Sequence, residues 1–178
     1  MKKLFVVSLV LLAFSLSASA QDFKPFRVDG GIGYGIPFNE GLDGGILFYL
    51  EPKYEVIPQL SVGIRWEGAF FGGGSDEGVS IKMSSGYLAT GDYYFNNNSF
   101  RPFVGAGLGV FASGGASVNV GTETIKVDGS TNFATMVRAG FDISHFRLTA
   151  SYNLAFDEDT LNFLAITVGF YIGGGKKR

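Results

Sequence analysis

The residues most able to do chemistry fall at every second position, between apolar neighbours. Seven are basic: Arg27, Lys53, Arg65, Lys82, Arg101, Arg138 and Arg147. Six are acidic: Asp29, Glu51, Glu55, Glu67, Asp92 and Asp142. Carboxylates and guanidiniums in near-equal number suit two tasks. They can line a narrow path for protons or ions, or they can neutralise one another in a static plug. The near balance favours the plug, because a buried charge left unpaired costs several kcal/mol. Arg65, Glu67, Arg138, Glu51 and Arg147 are expected at its centre. A second group, Asp157-Glu158-Asp159, is a weak candidate for a divalent cation. Plain solvated loop charge is the simpler reading of that group.

Other chemistries are poorly supplied. The 178 residues include no Cys, which excludes a thiol nucleophile, a disulfide scaffold, a Cys-ligated metal and a Cys-anchored lipoprotein. The single His, His145, makes a His-rich metal site implausible. No G-x-S-x-G occurs. The clusters Gly30-Gly31-Ile32-Gly33-Tyr34-Gly35 and Gly105 to Gly109 lead into no helix, so they do not cradle phosphate. With 14 Lys and Arg against 16 Asp and Glu, there is no basic footprint for nucleic acid. No cofactor is expected.

The elements that must hold these charges have period two. In Phe146 to Phe156, one face reads Phe, Leu, Ala, Tyr, Leu, Phe and the other Arg, Thr, Ser, Asn, Ala. Leu60, Val62, Ile64, Trp66 and Phe70 likewise oppose Ser61, Gly63, Arg65 and Glu67. Eight strands are predicted, over 26–37, 44–56, 60–71, 80–95, 100–112, 130–143, 146–156 and 160–172. Such strands are long for a globular protein and suit a tilted membrane strand. Tight turns at Ile57-Pro58-Gln59, Asn96 to Ser99 and Ser144-His145 alternate with longer segments at 38–43, 72–79 and 113–129. Only 157–159 breaks that rule. Short turns at one end and long loops at the other mark an outer-membrane barrel, with both termini at the short-turn, periplasmic end. Within 113–129 the alternation persists, predicting strands that continue beyond the membrane as a hairpin.

Ahead of the strands, Lys2-Lys3, an apolar run from Leu4 to about Leu16, and Ala18-Ser19-Ala20 have the three parts of a secretory signal peptide. Cleavage is expected after Ala20, leaving residues 21–178 as one barrel domain.

Alternation alone does not say which face points inward. A soluble barrel would turn the apolar face in, and its charges would be solvated. The apolar face carries too many large side chains for the interior of an eight-stranded barrel. The charged face instead carries glycines, including Gly31, Gly33, Gly35, Gly63, Gly86, Gly105, Gly107, Gly109, Gly140 and Gly169. These are expected to make room for long charged side chains in a narrow lumen. Aromatics gather near both strand ends, as at lipid–water boundaries. Phe26, Tyr54, Tyr93, Phe95, Phe141, Phe146 and Phe170 lie toward the termini; Tyr34, Phe48, Phe70, Phe133 and Phe156 lie toward the loops.

The chain thus resembles the small eight-stranded outer-membrane barrels of the OmpA/OmpX-like kind. The residues that carry the likeness are the eight alternating strands, the segment Phe103 to Val110 and the final strand Leu164 to Ile172. Thr167-x-Gly169-x-x-Ile172 partly matches the C-terminal signal that the barrel-assembly machinery reads in that family. Gly173 to Arg178 follow it, where many members stop at an aromatic. The resemblance implies an all-β, eight-stranded antiparallel up-and-down transmembrane β-barrel in a bacterial outer membrane. Lipid and lipopolysaccharide would be its surroundings. Some barrels of this size are lipid A deacylases or acyltransferases that use a His and a Ser near the outer leaflet. His145 lies in a turn at the opposite end, so no enzyme is expected. The leading expectation is a structural or surface-interaction protein. The alternative is a narrow channel or a lateral conduit for small hydrophobic molecules. The loop side is acidic, with Glu40, Asp43, Asp76, Glu77, Glu123, Asp128 and Asp157 to Asp159 facing only Lys126. Such loops could hold cations that bridge lipopolysaccharide phosphates.

Overall fold

Side chains that alternate in polarity favour extended backbone wherever one sheet face is apolar and the other is not. In the computed structural model this gives eight strands: β1 (Phe26–Pro37), β2 (Gly45–Ile57), β3 (Leu60–Ser75), β4 (Gly78–Tyr94), β5 (Phe100–Ser117), β6 (Gly129–Ile143), β7 (Phe146–Ala155) and β8 (Phe163–Gly173). The structure describes residues 24–38, 41–75, 78–117, 129–156 and 161–174. The expected signal segment lies outside them, as do residues 157–160.

Each strand pairs antiparallel with the next, and β1 pairs with β8, so the sheet closes into a barrel. Closure leaves no free edge along the paired length. The closing seam runs from Arg27 opposite Gly173 to Pro37 opposite Phe163. Gly173, in the left-handed region at φ 84°, ends β8. A side chain there would strike the Phe26 carbonyl, so this position favours glycine.

Strand positions match the sequence reading closely at the terminal end and less well at the loop end. Of the segment 72–79, residues 72–75 and 78–79 are strand and not loop, and 76–77 lie outside the described residues. β3 and β4 stay paired to Ser75 opposite Gly78. Gly72-Gly73-Gly74-Ser75 has turn-like composition, yet β4 supplies the ladder that holds it extended. β5 also runs on to Ser117, as the alternation beyond Phe111 implied. Its added residues pair with β4, from Lys82 opposite Gly115 to Ser80 opposite Ser117. Pairing with β6 stops at Gly114 opposite Gly129. β2, by contrast, stops at Gly45 opposite Phe71. One side of the barrel, β3–β5, therefore rises above the rest by roughly 13 Å of strand on its β3 flank.

The apolar face points outward. Ile32, Ile64, Leu108, Val137, Ile166 and Ile172 are all exposed, Ile172 at 78%. Every aromatic expected at the two strand ends lies on this outer face. Near the termini Phe146 meets Phe170 edge-on at 4.8 Å and Phe100 meets Phe141 at 5.2 Å. Near the loops Phe48 stacks with Phe70 at 6.0 Å, and Phe133 with Phe156 at 5.8 Å. An outside this apolar would be a liability in water and matches a hydrocarbon surround.

Candidate functional site

The site is the lumen, and it has two tiers. In the half nearer the termini, β1–β7 turn alternate residues inward and bring twelve charges together. Arg27, Lys53, Arg65, Arg101, Arg138 and Arg147 meet Asp29, Glu51, Glu55, Glu67, Asp92 and Asp142, and all twelve are buried. Six positive and six negative charges make this tier neutral. Lys82 was expected among them, but it is exposed near the loop-side end of β4 and joins no ion pair of the cluster. It shares the luminal phase of β4, and that strand carries it above the filled part of the barrel.

Two carboxylates organise the cluster. Asp92 accepts from Lys53 Nζ, Arg147 Nη2 and Arg138 Nε, each at 2.7 Å. Glu51 accepts a two-pronged pair from Arg138, at 2.8 Å from Nη1 and 2.6 Å from Nη2. Glu51 also takes the Thr90 hydroxyl at 2.6 Å and Arg65 Nη1 at 3.3 Å. The forked geometry is what a guanidinium does best with a carboxylate. Around this centre Arg27 bridges Asp29 at 2.7 Å and Asp142 at 2.9 Å. Lys53 reaches Asp29 at 2.8 Å, and Arg65 holds Glu67 at 2.6 Å. Arg101 joins Glu55 at 3.3 Å at the terminal end. The five residues expected at the centre are all in the network, with Asp92 as a sixth that the sequence did not rank.

Aromatic faces cover the guanidiniums where carboxylates do not. Arg147 lies over Phe103 at 3.7 Å, Arg65 over Tyr49 at 3.8 Å, Arg101 over Tyr94 at 4.1 Å and Arg27 over Tyr171 at 4.2 Å. In a desolvated lumen such contacts replace part of the lost hydration. Tyr94 also accepts from Arg147 at 3.0 Å. The Tyr171 hydroxyl donates to the Ser144 carbonyl, tying the last strand to the β6–β7 turn.

In the loop-side half the lumen holds an apolar cluster, which sequence reasoning missed, beside the buried polar side chains of Ser84 and Asn153. Leu47, Phe71, Leu88, Phe111, Met136, Leu161, Phe163 and neighbouring alanines pack there, fully buried. Phe163 meets Phe71 at 5.2 Å and Phe111 at 6.0 Å. Here both faces of the sheet are apolar, as in Ile46-Leu47-Phe48-Tyr49-Leu50, so period two vanishes from the sequence.

Five of the ten expected luminal glycines lie against rings and two against charged groups, a correction to the expectation that they house charges. A methyl at Gly86 would strike Phe111, at Gly140 it would meet Phe103, and at Gly35 it would come 2.9 Å from Phe71. Gly31 and Gly169 form the floor on which Tyr49 lies. Only Gly63, against Lys53, and Gly105, against Asp92 and Arg138, make room for charged groups in the expected way.

His145 is exposed in the β6–β7 turn, where Nδ1 lies 3.1 Å from the Tyr171 carbonyl. It is at the terminal end, away from the loop side. No cluster of three metal-ligating side chains occurs among the described residues. Asp157, Glu158 and Asp159 lie outside them.

No family model matches the chain, and no curated protein matches it. Solved structures do. Neisserial surface protein A covers 86% of this chain and 99% of its own, with a TM-score of 0.65 at 13% identity. Ail, the attachment invasion locus protein of Yersinia pestis, covers 84% and 99%, with a TM-score of 0.56 at 15% identity. The outer membrane protein OprG from Pseudomonas aeruginosa covers 85% and 97%, with a TM-score of 0.50 at 12% identity. At these identities the likeness is one of fold. The chain has the fold of the small eight-stranded outer-membrane barrels.

Proposed function

We propose that this chain is a non-enzymatic protein of a bacterial outer membrane whose barrel is a rigid, plugged stalk and whose loop side does the interacting. The observation that carries the reading is the neutral set of twelve buried, mutually paired charges inside a barrel that is apolar outside. Charges held this way are not free to hand an ion along, and replacing one leaves its partner unpaired in a desolvated site. The termini then face the periplasm and the β3–β5 extension faces outward. Export by the signal segment at 1–20 and insertion through a C-terminal signal at Thr167 to Ile172 complete the reading.

The partners that follow are membrane lipid and lipopolysaccharide. The loop-side segments are acidic in sequence, and Asp157-Glu158-Asp159 with its neighbours would hold divalent cations against lipopolysaccharide phosphates. One structure of Ail is a complex with the heparin analogue sucrose octasulfate. The acidic loop side here disfavours a polyanion of that kind for this chain.

Two measurements test the reading. The chain from Gln21 onward, folded in detergent, should shift in gel mobility on boiling and should not stay soluble once detergent is removed. In planar bilayers it should show no conductance steps. A monodisperse, detergent-free protein would overturn the membrane assignment. Steady unitary conductance would overturn the plug and favour the channel.

A further inference from the structure

On the outer face of β3, β4 and β5, the row Gly68, Ser85 and Ala112 carries almost no side chain. Gly68 sits opposite Ser85 and Ser85 opposite Ala112, so the three small residues lie side by side across the strands. Their surroundings are bulky. Phe48, Trp66 and Phe70 form one bank, with Phe48 edge-on to Trp66 at 5.2 Å and stacked on Phe70 at 6.0 Å. The Phe48 ring leans over Gly68, 2.6 Å from where a Cβ would stand. Met83, opposite Phe70, closes the loop side. The result is a groove of about 460 Å³ cut into the outer surface.

The groove is apolar except at one point. Among its lining residues the outward polar groups are the Trp66 indole and the Ser85 hydroxyl, and Ser85 Oγ accepts from Trp66 Nε1 at 3.3 Å. That hydroxyl keeps its own proton to donate. Water suits the groove poorly, because one hydroxyl does not supply the two to four partners a bound water needs. A second barrel would bring a convex face, which does not enter a groove. The volume is that of a site for a small molecule or a single chain. In a hydrocarbon surround, an empty groove would forfeit the dispersion contacts of its lining atoms. A flexible chain with an acceptor near its head answers both needs, with methylenes against the rings and an oxygen at Ser85.

We propose that this groove seats one acyl chain of lipopolysaccharide, with an ester or amide carbonyl near the head of the chain accepting from Ser85. The identity of the lipid rests on the membrane placement proposed above. Phe48 and Phe70 belong to the loop-side aromatics, and β3–β5 rises directly above the groove, so it opens into the outward leaflet. The barrel thus holds one lipid chain on one flank, within an otherwise interchangeable annulus.

Trp66 is the only tryptophan of the chain, so its fluorescence reports on the groove alone. The test reconstitutes the barrel from Gln21 onward in vesicles of phosphatidylcholine with brominated chains, which quench indole emission on contact. Lipopolysaccharide without bromine is included at rising mole fraction, and unbrominated phosphatidylcholine gives the line for simple dilution. A seated chain should restore emission at a mole fraction several-fold below that line. Recovery that tracks dilution would overturn the site. Ala112→Leu grows into the groove from β5, and Gly68→Ala lifts the Phe48 ring into it. Each should return recovery to the dilution line; early recovery kept in both would put the lipid elsewhere and overturn the assignment. Ser85→Ala should lose part of the preference, and an unchanged curve would overturn the carbonyl contact. Gel mobility with and without boiling separates the two readings. A parent barrel that shows no shift loses the membrane placement and the groove together, whereas one that shifts without early recovery loses the groove alone.

Discussion

The two tiers of the lumen fill similar space by opposite means. In the tier near the termini, directional bonds span the barrel between strands that are not neighbours. Arg138 on β6 holds Glu51 on β2, and Arg27 on β1 holds Asp142 on β6. In the loop-side tier, rings and aliphatic groups pack without direction, and glycine floors set how deep they sit. The first tier depends on which partners are present and the second on volume. Charged cross-links fix the shape of a narrow tube, and a closely packed core excludes water from its mouth.

Substitutions should separate the tiers, and their sizes can be ranked. Arg138→Met leaves Glu51 without its two-pronged partner and Asp92 without one of three, and should cost about 3–5 kcal/mol in denaturant unfolding from detergent. A midpoint within error of the parent would break the idea of a coupled tier. Adding Glu51→Gln to that variant removes the stranded charge. It should restore about 1–3 kcal/mol, which a double-mutant cycle reads directly. Gly86→Ala acts on the other tier. Its methyl meets the Phe111 ring, and overpacking should cost about 1–3 kcal/mol. A neutral result would show that the apolar tier yields where the ionic tier does not. Lys82→Ala should change stability by no more than about 0.5 kcal/mol, since this lysine is exposed and outside the network.

What the sequence made legible followed from contrast. Arg147, Thr149 and Ser151 alternate with Phe146, Leu148 and Ala150, so β7 and its inward face could be read residue by residue. The charged tier was visible for the same reason, and only Lys82 was misplaced, because alternation gives a face and no height. The apolar tier was hidden where inward Leu47 and Tyr49 sit among outward Ile46, Phe48 and Leu50. Pairing across the lumen was hidden too. Nothing local in Asp92 says that Lys53, Arg138 and Arg147 converge on it, since closure of the sheet brings them together. The upper parts of β3 and β4 were masked by glycines that read as turn residues.

Those upper parts give the molecule something a symmetric tube lacks. β3, β4 and β5 stand above a rim that β2 leaves low, so the barrel has a front and a back in the plane of the sheet it pierces. Among the described residues, a body arriving from the loop side meets a higher strand wall on the β3–β5 flank than at β2. Two copies placed side by side would not be equivalent under every rotation about their long axes. An in-plane heading of this kind means that a turn of the barrel about its axis changes which strands a neighbour meets first.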